Sequence, residues 1–301
     1  MTTRYSSLRH WPRALLRVLM PSVCALCGGG CDDVVCAACR DAYAQPRTVR
    51  CGQCGNPLPM DRPVEIPSPP RRRGPEVVQP RTHAVDISSP PRRRGPKFVP
   101  PGTHAGLSPR LRGGDVGEAA TLICGSCLRD PPAFDATVAA VDYAIPLDQL
   151  VLQLKFGARL ALAPWFARRI RDAVLARPGL PLPDLLCPVP LGPGRLVERG
   201  FNQALEIARP LAAALGVACH PALALRTLDT PAQSGVAPSV RAKNVRDAFA
   251  VADPDLVEGR HVGLVDDVMT SGHTLGELAA TFKRCGAARV TNFVFARTPP
   301  H

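Results

Sequence analysis

The sequence predicts a doubly wound parallel α/β domain over 134–301, with a small cysteine-rich module over 21–133 in front of it. Three observations carry this reading. From Phe134 onward short apolar runs alternate with helical stretches, the order that a parallel sheet with crossover helices requires. Upstream, eight cysteines fall into four C-x-x-C pairs. Finally, the apolar run from His261 ends in two adjacent carboxylates and a hydroxyl-rich loop that leads into a helix. With 301 residues, 46% of them hydrophobic, the chain is long enough for one good-sized core beside a smaller module.

Residues 1–20 form a basic segment with Arg4, Arg9, Arg13 and Arg17. Arg17 interrupts the apolar stretch Ala14 to Met20, which argues against a secretory signal. The longest apolar runs, such as Leu211 to Leu215, fall far short of the roughly 20 residues that a bilayer requires. The expectation is a cytoplasmic protein without a membrane span.

The knuckles Cys24/Cys27, Cys36/Cys39, Cys51/Cys54 and Cys124/Cys127 supply thiolates for two tetrahedral Zn2+ sites. A two-residue gap lets both sulfurs of a knuckle reach one ion, and Gly28 and Gly55 suit the tight turns. Sequential pairing places Cys24, Cys27, Cys36 and Cys39 on one ion and the other four on the second; a crossed arrangement stays open. Disulfides compete with this reading, but four equal spacings suit them poorly and a reducing compartment keeps thiols free. Cys31, Cys187, Cys219 and Cys285 lie outside the pattern.

Between the third and fourth knuckles, 59–116 reads as an insertion within a double zinc ribbon. Ser68 to Ala84 (SPPRRRGPEVVQPRTHA) and Ser89 to Ala105 (SPPRRRGPKFVPPGTHA) are tandem copies. Neither copy has an apolar period, and the Pro-Pro and Gly-Pro steps block both helix and ladder, so disorder is expected. This stretch carries a net charge of +6, half of the +12 of the whole chain. The folded remainder is only mildly basic. An arginine-rich arm of this kind adds salt-sensitive contacts to phosphates; a tolerated insertion in an exposed loop explains it more simply.

In the α/β domain, Leu147 to Phe156 and Leu160 to Leu175 read as amphipathic helices with Leu150, Val151, Leu154, Ile170 and Val174 inward. Leu185 to Leu191 reads as a strand, Asn202 to Leu215 as a helix and Phe249 to Ala252 as a short strand. His261 to Asp266 is a strand, Leu275 to Cys285 a helix and Val290 to Ala296 the strand after it.

The segment HVGLVDDVMTSGHTL (His261 to Leu275) carries the chemistry. Ligands of open α/β sheets bind at the carboxyl ends of strands. The loop Thr270 to Thr274 presents successive backbone N–H groups and the hydroxyls of Thr270, Ser271 and Thr274 to a phosphate at a helix start, and Gly272 permits close approach. Two acids beside an anion site require a hydroxyl-rich group between them and the phosphate. A ribose 5-phosphate meets both demands, with Asp266 and Asp267 accepting from its hydroxyls.

At these residues the segment resembles the binding motif for 5-phosphoribosyl 1-pyrophosphate (PRPP) of type I phosphoribosyltransferases. The wider chain resembles the ComF competence-protein family. That likeness rests on the C-x-x-C knuckles, CGSCLRDPPAFD (Cys124 to Asp135), LKFG (Leu154 to Gly157), PVPLGPGRLVERGFNQA (Pro188 to Ala204), TPAQSGVAPSVRAKNVRDAF (Thr230 to Phe249) and the Asp266-Asp267 loop.

The resemblance implies a type I phosphoribosyltransferase-like fold in which PRPP meets Asp266, Asp267, Thr270, Ser271, Gly272, His273 and Thr274, with Arg195, Arg199 and Asn202 at the pyrophosphate. Gln233 to Asn244 would be a hood over the substrate, and Arg199, Arg241 and Lys243 would assist catalysis. Mg2+ would ride on the ligand's pyrophosphate and ribose oxygens. His273 stands where such motifs often carry a smaller residue. Three functions remain open: a PRPP-binding protein supporting DNA uptake on single-stranded DNA, with uptake-machinery proteins as partners; a phosphoribosyltransferase of nucleotide salvage; and a non-catalytic nucleic-acid-binding module regulated by PRPP.

Overall fold

The computed structural model describes residues 22–45, 49–58, 122–177, 179–227 and 248–299. The two copies of the repeat, Arg241, Lys243 and the whole of Gln233 to Asn244 lie outside the described residues. The chain enters through a two-residue hairpin, β1 (Ser22–Val23) against β2 (Gly30–Cys31), with the first knuckle in its turn. Cys36 then caps helix α1 (Ala37–Tyr43). A second short helix, α2 (Gly125–Arg129), follows Cys124.

The α/β core begins with β3 (Ala136–Asp142), a strand not singled out from the sequence, followed by α3 (Leu147–Phe156) and α4 (Leu162–Leu175). Strand β4 (Leu185–Pro188) stops three residues before the expected Leu191. Pro188 and Pro190 have no N–H to continue a ladder. The residues after it form a short helix, α5 (Pro193–Arg199), and then α6 (Gln203–Leu215), β5 (Ala218–Cys219) and a hairpin of β6 (Ala224–Arg226) with β7 (Phe249–Val251). Strand β8 (His261–Met269), helix α7 (His273–Arg284) and strand β9 (Arg289–Arg297) complete the fold. The strand expected at Phe249 to Ala252 therefore belongs to an antiparallel hairpin outside the main sheet.

Five strands pair in the order β3-β9-β8-β4-β5, all parallel. Period-2 alternation sends neighbouring residues to opposite faces. Val138, Leu186, Val265, Phe293 and Phe295 join the core under α3, α4 and α6. Ala139, Leu185, Val262, Leu264 and Val294 join the core under α7 and the hairpin. The first core is built around Phe166 and Phe295, stacked with ring centroids 3.7 Å apart, and Trp165 meets Phe295 edge-on. With helices on both faces the sheet is doubly wound, as expected.

The cysteine knuckles are split between these cores. Cys24 and Cys39 pack with the first core, and Cys51, Cys54 and Cys127 with the second. At the second, a side chain on Gly55 (φ +70) would meet Thr137 Cγ2 of β3 at 3.0 Å, so the knuckle turn lies directly on the sheet. Residues 22–58 and 122–299 accordingly fall into one compact unit.

The chain returns beside the third knuckle after the insertion: Gly52 N donates to Leu122 O at 2.8 Å and Cys124 N to Cys51 Sγ at 3.2 Å. Closing a long loop between neighbouring ends costs little more than closing a short one. Deleting Arg62 to Asp115 is expected to leave the circular-dichroism spectrum, the thermal transition and the metal content unchanged. Loss of either metal ion on deletion would show that the insertion helps to build the ribbon.

Candidate functional site at the carboxyl edge of the sheet

From β8 the chain proceeds to β9 through α7 on one face, while from β4 it proceeds to β5 through α6 on the other. The order of connection reverses between β4 and β8, which are paired from Leu185↔Val262 to Pro188↔Val265. Crevices for ligands open at such switch points. The segment after β4, with Arg195 and Arg199, and the segment after β8 thus leave the sheet side by side.

The two acids lie inside the last turn of β8, since the strand runs on to Met269 beyond the expected end at Asp266. Asp266 is half-buried, and Asp267 is buried to 2% exposure. Lys155 Nζ meets Asp267 Oδ2 at 2.8 Å. Asp266 Oδ1 accepts from the N–H of Asp267, and Asp267 Oδ1 from that of Val268, both at 2.9 Å. Burial pushes the Asp266 carboxyl up to about 8; repulsion by Asp267 adds to this, and Lys155 opposes it.

Beyond Met269 the exposed Thr270 and Ser271 lead to Gly272, whose φ of +85 caps α7 in the left-handed region. The positive φ favours glycine there, and a Cβ would in addition force the Met269 methyl group, 2.6 Å away, to move. His273 is tied into the loop through Nδ1 and Ser271 Oγ at 2.9 Å, and Thr274 follows in the first turn.

On the β4 side, Asn202 has both polar groups occupied: Oδ1 accepts from Ala204 N at 2.9 Å and Nδ2 donates to Val189 O at 3.0 Å. It caps α6 and holds the segment leaving β4. Arg195 lies half-buried in α5. Arg199 donates to Gln203 Oε1 at 2.7 Å, and its guanidinium lies 5.4 Å from the ring centroid of Phe156. Phe156 is 72% exposed and directly follows Lys155. The structure therefore brings LKFG against the acids, through Lys155 and Asp267, and against the segment after β4, through Phe156 and Arg199.

Two residues with a direct hold on this site were not assigned to it from the sequence. Lys155 carried a signal, as the cation of LKFG at the end of an apolar helix face. Arg297, the last residue of β9, carried none. It is 5% exposed and donates from Nε to Cys54 O (2.9 Å) and from Nη1 to Met269 O (3.0 Å), Thr298 O (2.7 Å) and Thr270 O. A cavity of about 470 Å³ lies behind the loop, bordered by Cys54, Cys127, Phe134, Gly272, His273 and Arg297.

The eight knuckle cysteines assemble as Cys24, Cys27, Cys36 and Cys39, and as Cys51, Cys54, Cys124 and Cys127, with the sulfurs of each set within 4.8 Å of one another. All are free thiols. Cys27 and Cys36 sulfurs are 3.8 Å apart, and those of Cys54 and Cys124 3.7 Å. Four ligands about 2.3 Å from a tetrahedral ion lie about 3.8 Å apart, so both sets fit zinc. Backbone N–H groups of Leu26 and Cys36 donate to Cys24 Sγ. Burial raises the Cys24 thiol, but hydrogen bonds from the Cys27, Cys36 and Leu26 backbone outweigh it and bring it down to about 6. Cys51 falls to about 7 in the same way. Cys31 stays outside both sets, its thiol donating to Asp33 O.

The chain is 40% identical over 181 residues to the DNA utilization protein YhgH of Salmonella typhi, covering 59% of this chain and 79% of the relative. Against YhgH of Escherichia coli K12 the identity is 39%, covering 59% and 78%. Against competence protein F of Haemophilus influenzae it is 32% over 179 residues, covering 58% and 78%. No family model matches. Among solved structures, adenine phosphoribosyltransferase of Thermoanaerobacter pseudethanolicus shares 17% identity over 48% of this chain and 72% of its own, at a TM-score of 0.28. The fold assignment rests on strand order and not on that likeness.

Two predictions follow from this geometry. Metal analysis of protein kept under reducing conditions should find about two zinc ions per chain; Cys124→Ser should lose one and Cys31→Ser neither, and equal losses would overturn the ligand assignment. For Asp266, a folded-state pKa of about 8 against an ordinary 3.8 gives stability that is complete below the ordinary value and lost as pH rises through about 8. Asp266→Asn should therefore melt higher than the parent protein at pH 8, by about 2–4 °C per kcal/mol relieved. The gain should shrink toward zero near pH 4, and a pH-independent difference would contradict the burial argument.

Proposed function

The chain belongs to the family of DNA utilization protein YhgH and competence protein F, and we propose that it binds PRPP at the carboxyl edge of β8 and supports DNA uptake by handling single-stranded DNA. The observation that carries the PRPP reading is the acid pair at the end of a central strand, followed at once by a glycine-capped loop at the switch point of the sheet. In this reading the loop N–H groups and the hydroxyls of Thr270, Ser271 and Thr274 hold the 5-phosphate. Asp266 and Asp267 accept from the ribose hydroxyls.

The raised carboxyl of Asp266 supports the same assignment. Burial and Asp267 hold it mostly protonated near neutral pH, and ribose hydroxyls donating to it would favour its ionised, accepting form. Lys155 meets Asp267 Oδ2 at 2.8 Å and fixes the orientation of its carboxyl group. In this reading Arg195 and Arg199, in the segment that follows β4, would meet the pyrophosphate, with Arg241 and Lys243 as further cations. Magnesium carried on the ligand would supply charge neutralisation at the pyrophosphate, beside Arg195 and Arg199. Turnover would be displacement of pyrophosphate from C1 by a nitrogen nucleophile, with the protein contributing positioning and charge stabilisation.

Handling of single strands finds support in Phe156. Few aromatics accompany the basic residues in the sequence, yet an exposed ring beside the Arg199 guanidinium and the acid crevice provides one surface on which a base can stack.

Isothermal titration with Mg-PRPP tests the site. Each charge-assisted hydrogen bond contributes about 1.5–3 kcal/mol. Asp266→Asn/Asp267→Asn is expected to lose about 3 kcal/mol, or about a hundredfold in affinity, and unchanged affinity would remove the acids from the ribose site. Pyrophosphate release against a panel of bases and amines then separates a transferase from a binding protein.

A further inference from the structure

Arg297 joins two parts of the molecule that the sequence places far apart. Its Nε holds the carbonyl of Cys54, in the knuckle turn of the second cysteine set. Its Nη1 holds the carbonyls of Met269 and Thr270, at the entry to the phosphate loop. The N–H of Thr298, next in the chain, also donates to Met269 O at 3.0 Å. A planar guanidinium fixes the direction of each N–H, so moving one partner strains the bonds to the others.

The geometry of the peptide bond gives this clamp a direction of action. The C=O of Thr270 and the N–H of Ser271 belong to one rigid plane and point opposite ways. Drawing the Thr270 carbonyl inward to Arg297 therefore turns the Ser271 N–H outward, toward the position of an anion at the loop. The Met269 carbonyl orients the Thr270 N–H in the same manner. At the other end, the Cys54 carbonyl is fixed only while its knuckle keeps its turn, and a metal ion bound by Cys51, Cys54, Cys124 and Cys127 locks that turn. The knuckle also rests on β3 through Gly55 and Thr137, and Thr137 N donates to Gly52 O at 3.1 Å, so displacement at the cysteines is not absorbed by slack in the packing.

We propose that Arg297 is a positioning residue that couples the second cysteine set to the phosphate loop, so that metal at the one and a sugar phosphate at the other strengthen each other's binding. This rests on the reading of the loop as a sugar-phosphate site and adds to it a dependence on the metal. The first set, Cys24, Cys27, Cys36 and Cys39, packs with the core on the opposite face of the sheet and has no part in the coupling.

Coupling between two ligands is reciprocal: whatever factor one imposes on the other's affinity is returned. The test uses the full chain loaded with zinc, ribose 5-phosphate as the probe and a chromophoric chelator that competes for the metal. Saturating ribose 5-phosphate is expected to raise the zinc affinity of one of the two sites about tenfold and to leave the other unchanged. Removing zinc from that site alone, by titration or with Cys124→Ser, should weaken ribose 5-phosphate by the same factor. In Arg297→Met both ligands should still bind while the dependence of each on the other disappears. Arg297→Lys keeps the charge without the fork and should lose most of the coupling, which provides the measurement should Arg297→Met fail to fold. Probe binding to the parent protein without any change in zinc affinity would overturn the coupling, as would coupling that survives in the Arg297 variants. Failure of ribose 5-phosphate to bind the zinc-loaded parent protein would overturn the sugar-phosphate reading, and the coupling with it.

Discussion

A carboxylate as enclosed as Asp267 demands a counter-charge, and the arrangement of the site follows from Lys155 supplying it. Loss of hydration around a buried acid is expensive, so its partner must come close and stay there. Lys155 stands in α3, whose Leu150, Val151 and Leu154 are buried in the core, and its ammonium reaches the end of β8. The ion pair thus places the end of α3 against the end of β8. Phe156 and the Arg199 guanidinium come with it, one residue further along the helix. Lys155 pairs directly with only one of the two adjacent acids, and Asp266, buried beside its like-charged neighbour, keeps its proton up to about pH 8.

That imbalance has a structural cause. Strand β8 is central, with β4 on one side and β9 on the other, and its residues through Val265 are buried. Extending such a strand through two carboxylates is unfavourable for folding alone. The same feature sets two carboxyl groups directly before a glycine-capped loop at the start of a helix. Asp266 therefore works against stability as pH rises, and the large two-faced core offsets it.

The cysteine sets extend this logic to the faces of the sheet. Each brings four thiols together and packs them against a different core, so a metal ion in either would tie a stretch with little regular structure to the α/β body. The second set lies close to the site. Gly55 rests against β3, Arg50 Nη1 pairs with Asp142 Oδ1 at the end of that strand, and Cys54 shares Arg297 with the loop that follows β8. A module that reads in the sequence as an N-terminal appendage is therefore distributed over the molecule and reaches the loop through one side chain.

The sequence by itself determined whatever depends on neighbours along the chain: the apolar periods of α3, α4, α6 and α7, the knuckle spacing, and the strand-acid-loop-helix order from His261 onward. These are local because backbone periodicity, turn geometry and the spacing of two thiolates on one ion act over a few residues. The ends of elements were less legible: β4 stops early at its prolines, and β8 runs on through the acids because β9 continues to pair with it. Only the tertiary structure decided that Phe249 belongs to a hairpin, that the two cysteine sets lie on opposite faces, and that Lys155 pairs with Asp267 and Arg297 with the carbonyls of Cys54 and Met269. Lys155 meets an acid more than a hundred residues away, and Arg297 reaches Cys54 across nearly the whole chain. No local pattern marks such pairs, since what selects them is the cost of leaving a buried charge or carbonyl without a partner once the sheet has brought them together.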